Sequence, residues 1–300
     1  MAKRLLSANA SEALAMSAAE LKQAIKASEG RTLLSENIVI YPPTILDITN
    51  AEIARAFGAD LILLNLLDVF HPQIFGLSEE ENADFVSVLH RLTGAPIGVN
   101  LEPVDPSAAM LESRQEMPEG RQASAATMTR LEELGADFVC FTGNPGTGVT
   151  NEAILATVRV AKEHFSGLVI AGKMHGAGVN EPVTDAATVQ ALVEAGADVI
   201  LVPAVGTVPG FDAAQCREAV TAAHAAGALV MTAMGTSQES ARPETIAQIA
   251  IQNKICGVDI QHLGDSGYGG LAPVENFMAL SDAIRGRRHT VSRMARSINR

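Results

Sequence analysis

The chain has 300 residues, 47% of them hydrophobic and 19% charged. That is enough apolar material for a large core and excludes a disordered chain. A net charge of −12 argues against nucleic acid as the main partner. No run of about 20 uninterrupted apolar residues occurs, so neither a transmembrane helix nor a membrane partner is expected. Residues 1–30 lack the apolar stretch of a secretory signal, which points to the cytoplasm. Cys140, Cys216 and Cys256 are too few and too scattered for a disulfide framework or a zinc cluster, and Cys140 reads as a core residue.

A helix at about 11–28 comes first. Apolar runs then read as strands buried on both faces, at about 37–41, 60–66, 96–101, 137–142, 167–172, 198–203, 228–233 and 257–262. Helical patterns lie between them at Thr49–Phe57, Ala123–Leu134, Asn151–Phe165, Thr184–Ala195, Asp212–Ala226 and Pro243–Asn253. Thr49 and Glu52 have capping-box spacing, Thr150 and Thr184 are candidate caps, and Pro243 suits a first helical position.

A short phrase joins helix to strand. It reads Gly58-Ala59-Asp60, Gly135-Ala136-Asp137 and Gly196-Ala197-Asp198, with looser versions at Gly94-Ala95-Pro96, Gly167-Leu168, Gly227-Ala228 and Gly257-Val258-Asp259. From Gly135 onward these glycines are 32, 29, 31 and 30 residues apart, about one βα unit. Eight such units predict an α/β fold, a (β/α)8 TIM barrel with an extra N-terminal helix, as one domain over 1–300. The runner-up, a doubly wound open sheet, lacks a GxGxxG turn after its first strand. Residues 285–300 hold six arginines and no acid and read as a helix end followed by a solvated or subunit-contacting tail.

In this architecture the site lies at the C-terminal ends of the strands. The loops after strands seven and eight, with Gly235, Thr236 and Ser237 and then Gly264, Asp265, Ser266 and Gly267, supply turn glycines and donors suited to a phosphate or carboxylate. Gly206 in the loop after strand six joins them. Lys173 and His175 share one strand face, and Lys173 is a candidate Schiff-base nucleophile or electrostatic partner. His175 or Glu102 would move a proton and His262 would assist. Asn65, Asn100 and Asn144 would position the substrate. Asp68 and Glu102 are weak candidates for Mg²⁺, the one cofactor considered, because no D-x-D or H-x-H spacing occurs. Asp47 is a third acid at a strand end, His71 a weaker site candidate, and His90, His164, His224 and His289 are expected to face solvent.

The runs Tyr41–Asn50, Leu63–Asp68 and Gly264–Gly270 resemble a group of bacterial TIM-barrel proteins often labelled phosphoenolpyruvate phosphonomutase-like or haloacid dehalogenase-like hydrolases. The first label implies Mg²⁺ held by clustered acids with an Asp-x-Asp-like element and a Lys-x-Cys-Gly style loop, and the chain has neither. The second implies a DxDx(T/V) nucleophile on a Rossmann-like sheet, which is also missing.

The leading expectation is an enzyme acting on a small phosphorylated carbonyl metabolite, as an aldolase-type lyase or a sugar-phosphate isomerase. One alternative is a Mg²⁺-dependent lyase or mutase of the phosphonomutase and isocitrate lyase kind. Another is a non-catalytic ligand-binding or sensor barrel. A small anionic substrate is the expected partner, and the alanine-rich helices would permit a homo-oligomer.

Overall fold

The computed structural model describes residues 3–43, 45–265 and 269–300. Its strands are β1 (Thr32–Ile38), β2 (Leu61–Asn65), β3 (Ile97–Leu101), β4 (Phe138–Phe141), β5 (Leu168–Gly172), β6 (Val199–Pro203), β7 (Leu229–Met234) and β8 (Ile260–Leu263). Every neighbouring pair is parallel, and β8 pairs with β1 to close the barrel. The TIM-barrel expectation therefore holds.

The helices are α1 (Ala10–Leu14), α2 (Ala18–Lys26), α3 (Asn50–Ala56), α4 (Glu79–Ala83), α5 (Phe85–Thr93), α6 (Ala125–Leu134), α7 (Asn151–His164), α8 (Ala186–Ala195), α9 (Ala213–Ala225), α10 (Pro243–Cys256), α11 (Val274–Arg285) and α12 (Arg287–Met294). The single helix expected at 11–28 is two. Ser17 caps α2 in a reciprocal box with Glu20, and a capping residue starts a new helix rather than continuing an old one. The cap of α8 is Asp185, one residue after the expected Thr184.

The first strand lies earlier than expected. The apolar run Ile38–Tyr41 looked like a strand, but β1 is Thr32–Ile38 and carries Ser35, Glu36 and Asn37 in its second half. Apolar residues fill the barrel, among them Leu34, Leu63, Cys140, Ile170, Leu201 and Met231. Leu5, Leu21 and Ile25 from the N-terminal segment pack against this set and seal its lower end. Gly98 makes room for the Phe138 ring, which a Cβ at that position would meet at 2.2 Å. A second shell of apolar contacts joins the outward strand faces to the helices.

The Gly-Ala-Asp phrase has a definite job. Asp60, Asp137, Asp198 and Asp259 precede β2, β4, β6 and β8. Each carboxylate accepts the amide of a residue on the preceding strand: Leu33 (2.9 Å), Ile97 (2.7 Å), Val169 (3.1 Å) and Val230 (2.9 Å). Each aspartate's own amide bonds back to the carbonyl of that same residue. The phrase lacks its acid before β3, β5 and β7, so the clip recurs at every second junction.

Each clip also holds a basic side chain. His90 lies 2.6 Å from Asp137, His224 2.8 Å from Asp259, and Lys22 3.1 Å from Asp198. His90 and His224, expected to face solvent, are thus engaged at the barrel's lower rim. Asp60 takes Arg285, with Arg293 Nε 2.8 Å away, and all three side chains are almost wholly buried. Part of the arginine-rich tail is therefore interior rather than solvated. Burial pushes the Arg285 pKa down to about 10 against the opposing pull of Asp60.

Asp60→Asn would leave two guanidinium groups buried around a neutral amide, and chemical denaturation should show a loss of about 3–5 kcal/mol. Asp198→Asn, whose lysine partner is partly exposed, should lose about 1 kcal/mol or less. Equal losses would mean that the buried cluster is no more than another clip.

Candidate active site

The strands present their polar residues at the C-terminal mouth. Asn65, the last residue of β2, is the centre of a network. Its Nδ2 donates to Glu36 Oε1 (2.5 Å) and Asn144 Oδ1 (2.9 Å), and its Oδ1 accepts from Asn100 (3.1 Å), Asn144 (3.1 Å) and the Leu66 amide (2.8 Å). On the other side of Glu36, His262 Nε2 lies 2.7 Å from Oε2, a contact too bent for a formal hydrogen bond. Glu36 is 4% exposed and His262 fully buried, so the carboxylate is fixed from both sides.

Above this network opens a cavity of about 640 Å³, within the range of small-molecule sites. Glu36 and Asn144 reach it from the network, and the loops after β5, β7 and β8 wall it with His175, Gly235, Glu239 and Gly264. Arg121 and Glu112 enter from the long segment after β3.

Backbone strain gathers at the same place. Among the described residues five other than glycine have positive φ, and Leu66, Ala177, Thr236 and Ser237 of these line the cavity. Such conformations cost on the order of 1–3 kcal/mol each and cluster where geometry serves a ligand. Thr236 and Ser237 are the central pair of a turn closed by Gln238 N donating to Gly235 O (3.1 Å). That turn delivers Glu239 to the cavity. Glu239 is 5% exposed, and its Oε2 has no hydrogen-bond partner. Burial raises its pKa most. Its own amide draws the value back, Glu36 raises it, and His262 and the Ser237 amide lower it. Asn100 Oδ1 and Thr142 Oγ1 are also buried and unpartnered.

His175 lines the cavity as expected. Its Nδ1 accepts the Ala177 amide (2.9 Å), leaving Nε2 as the proton carrier. Burial lowers its pKa, so it is neutral near pH 7.

Lys173 does not reach the cavity. Inward side chains on β5 are Leu168 and Ile170. Val169 and Ala171, which share the face of Lys173, point to the helices. The Lys173 ammonium is buried on that outer side against Glu181. Burial lowers its pKa while Glu181 opposes the shift. Lys173 is therefore committed to Glu181 and is not presented to a substrate at the mouth.

Glu102 is also committed. Oε1 accepts from Arg121 (2.6 Å) and Oε2 from the Asn144 amide (3.0 Å), so it braces the site and has no free oxygen pair for proton transfer. Asp68 caps its own loop through the amides of Phe70 (2.9 Å) and His71 (3.1 Å) and lies against Gly120. These two acids do not fit Mg²⁺, and among the described residues no group of three or more His, Cys, Asp or Glu gathers as a ligand set. His71 and Asp47 are exposed.

Of the expected anion cradle, Gly235, Thr236, Ser237, Gly264 and Asp265 line the cavity. Gly206 does not, and its amide closes its own loop on Phe211 O (3.4 Å). Ser266 and Gly267 lie outside the described residues. The Thr236 hydroxyl donates to the carbonyls of Thr207 and Gly235, away from any ligand. Cys140 is core, and burial holds its thiol well above the usual range.

Glu36, Glu239 and Arg121 are site residues that sequence reasoning missed. A signal existed for Glu36, since it alternates with Leu34 and Ile38 on the inward face of β1, but it vanishes when the strand is placed five residues late. Glu239 follows a turn whose left-handed residues are not the glycine or asparagine that such turns favour, so nothing announced it.

Residues 6–300 match the model of one family, described as Domain of unknown function (DUF7916). The chain belongs to this family. No curated protein matches it. Solved structures resemble this member of the family in fold. A candidate lyase/mutase from Burkholderia cenocepacia J2315 is 18% identical, with 81% of this chain and 80% of that one covered at a TM-score of 0.50. 2,3-Dimethylmalate lyase, a PEP mutase/isocitrate lyase superfamily member, is 14% identical over 91% and 85% at 0.50. Thiamine phosphate pyrophosphorylase from Pyrococcus furiosus is 12% identical over 86% and 97% at 0.50. The lyase/mutase side of the sequence resemblance thus finds structural neighbours. The haloacid dehalogenase label does not, because the strands close a parallel barrel instead of an open Rossmann-like sheet.

A carboxyl whose pKa rises on folding binds its proton more tightly in the native state, so it costs stability as pH climbs from 4.5 through the folded value. Glu239→Gln should therefore melt above the native protein near neutral pH, with the gap closing as pH falls below about 4.5. A variant less stable at every pH would show that the carboxyl is held ionised by the amides around it.

Proposed function

We propose that the protein is a lyase or isomerase that moves a proton on a small, uncharged hydroxy-carbonyl metabolite. The observation that carries this reading is the pair of glutamates at the cavity floor. Glu36, clamped by Asn65 and His262, offers a carboxylate as base. Glu239, whose pKa burial raises, holds a proton more readily and is the one placed to act as acid. Two like groups with different surroundings suit opposite halves of a proton transfer. The neutral His175 adds a donor for a developing oxyanion. The barrel neighbours whose names include lyase and mutase are consistent with such chemistry, by likeness of fold alone.

The charge of the cavity favours an uncharged ligand over the phosphorylated one expected from the glycine loops. Glu36, Glu112, Glu239 and Asp265 line it, the Arg121 guanidinium is held by Glu102, and no lysine lines it among the described residues. A phosphate dianion there would face carboxylates with little compensation. Lys173, buried against Glu181, is not available for a Schiff base, and the acid–base reading needs none.

Proton abstraction can be detected without knowing the full reaction. Hydroxy-carbonyl compounds and their phosphate esters, incubated in D₂O, would be followed by NMR for exchange at the carbon next to the carbonyl. An unphosphorylated compound should exchange, with Glu36→Gln slowing the rate by roughly 10²–10⁴-fold. Borohydride should add no mass to the protein and EDTA should leave the rate unchanged. Exchange confined to phosphate esters, or undiminished in Glu36→Gln, would overturn the assignment.

A further inference from the structure

A second cavity, of about 370 Å³, lies at the opposite end of the barrel. One wall is α2, with Lys22, Gln23 and Lys26, and the other is the rim where β5, β6 and β7 begin. Lys162, in the last turn of α7, reaches it with its stem lying along Gly196, where a Cβ would sit 2.9 Å from the side chain. The charged lining is three lysines and one acid, Asp198, in a chain whose net charge is −12.

The acid does not balance the lysines. Asp198 Oδ2 accepts the Val169 amide and Oδ1 takes Lys22 at 3.1 Å, so its capacity is spent within the clip. The ammonium groups of Lys26 and Lys162 have no ion pair or hydrogen bond among the described residues. Lys22 and Lys26 stand one turn apart on the same face of α2. With Lys22 paired to Asp198, the exposed Lys26 and Lys162 are left as two uncompensated positive charges at one hollow, which an anion between them would offset.

We infer that this cavity binds the phosphate or diphosphate group of an anionic metabolite. The volume exceeds that of an inorganic diphosphate and falls within the usual range of ligand pockets. Gln23 adds an amide donor, and the walls at Gly167 and Gly227 carry no side chain to obstruct entry. A ligand bridging α2 to the strand rim ties the N-terminal plug to the barrel, and by binding the folded state alone it raises the melting temperature. The site is separate from the mouth and does not depend on the reaction assigned there.

Inorganic pyrophosphate is the probe, read by thermal unfolding at constant ionic strength set with sodium chloride. The native protein should be stabilised in a saturable way, and raising the salt should weaken binding, as it does for partly exposed ion pairs. The Lys26→Gln/Lys162→Gln variant keeps the Lys22–Asp198 pair intact and should bind about 10-fold more weakly, at roughly 3-fold per lost contact. Arg91→Gln/Arg217→Gln, with the same change of charge elsewhere, should respond as the native protein does. No shift beyond that of chloride, or an equal shift in the lysine variant, would overturn the inference.

Discussion

The structure depends first on the aspartate clip at the lower rim. In a parallel barrel a slip of one residue between neighbours turns every inward side chain outward. Asp60, Asp137, Asp198 and Asp259 prevent this by exchanging two hydrogen bonds with one residue of the preceding strand. The clips fall between β1 and β2, β3 and β4, β5 and β6, and β7 and β8, so no strand is left without one. Each carboxylate also meets a basic side chain from a different element. The register set at the bottom is what brings Glu36, Asn65, Asn100 and His262 to one level at the top.

That arrangement divides stability between the two ends. The lower half is apolar and plugged by Leu5, Leu21 and Ile25, with hydrogen bonds doubled at the clips. The mouth holds what a folding chain would otherwise avoid: a carboxyl with a raised pKa, unpartnered buried oxygens and four left-handed residues other than glycine. Each costs on the order of a kilocalorie or more. They are tolerable because the strands beneath them cannot shift to relieve the strain, and the same rigidity keeps the two glutamates in a fixed relation.

The barrel was legible because its signal is repeated. Eight apolar runs and a recurring Gly-Ala-Asp phrase survive errors in any one unit, and seven of the eight strands lie within a few residues of their expected places. The site was less legible for a physical reason. Glu36 is an inward position that is polar near the strand end, and with the outward Ser35 and Asn37 beside it the apolar pattern broke and drew β1 toward residues 37–41. Lys173 and His175 were read as sharing one strand face, but β5 ends at Gly172, so strand alternation does not carry through to them: Lys173 turns to the outer side and His175 lines the cavity. The asparagines at 65, 100 and 144, chosen only as strand-end polar groups, form the network that orients Glu36.

Charge is distributed along the barrel axis in a way that composition conceals. The six arginines after residue 284 looked like a basic surface, yet Arg285 and Arg293 are buried around Asp60, and Arg296 bonds to Asn9 near the N-terminus. Their charge is spent on holding the ends of the chain to the lower rim. The lysines of α2 and α7 lie at that end as well, while the acids of the strand-end loops remain at the mouth with Arg121 already paired. Field lines in a low-dielectric barrel are focused by such separation, favouring anions at one pole and discouraging them at the other. An anionic metabolite would then be drawn to the lower end and turned away from the mouth before any shape is read, leaving the mouth open to an uncharged substrate.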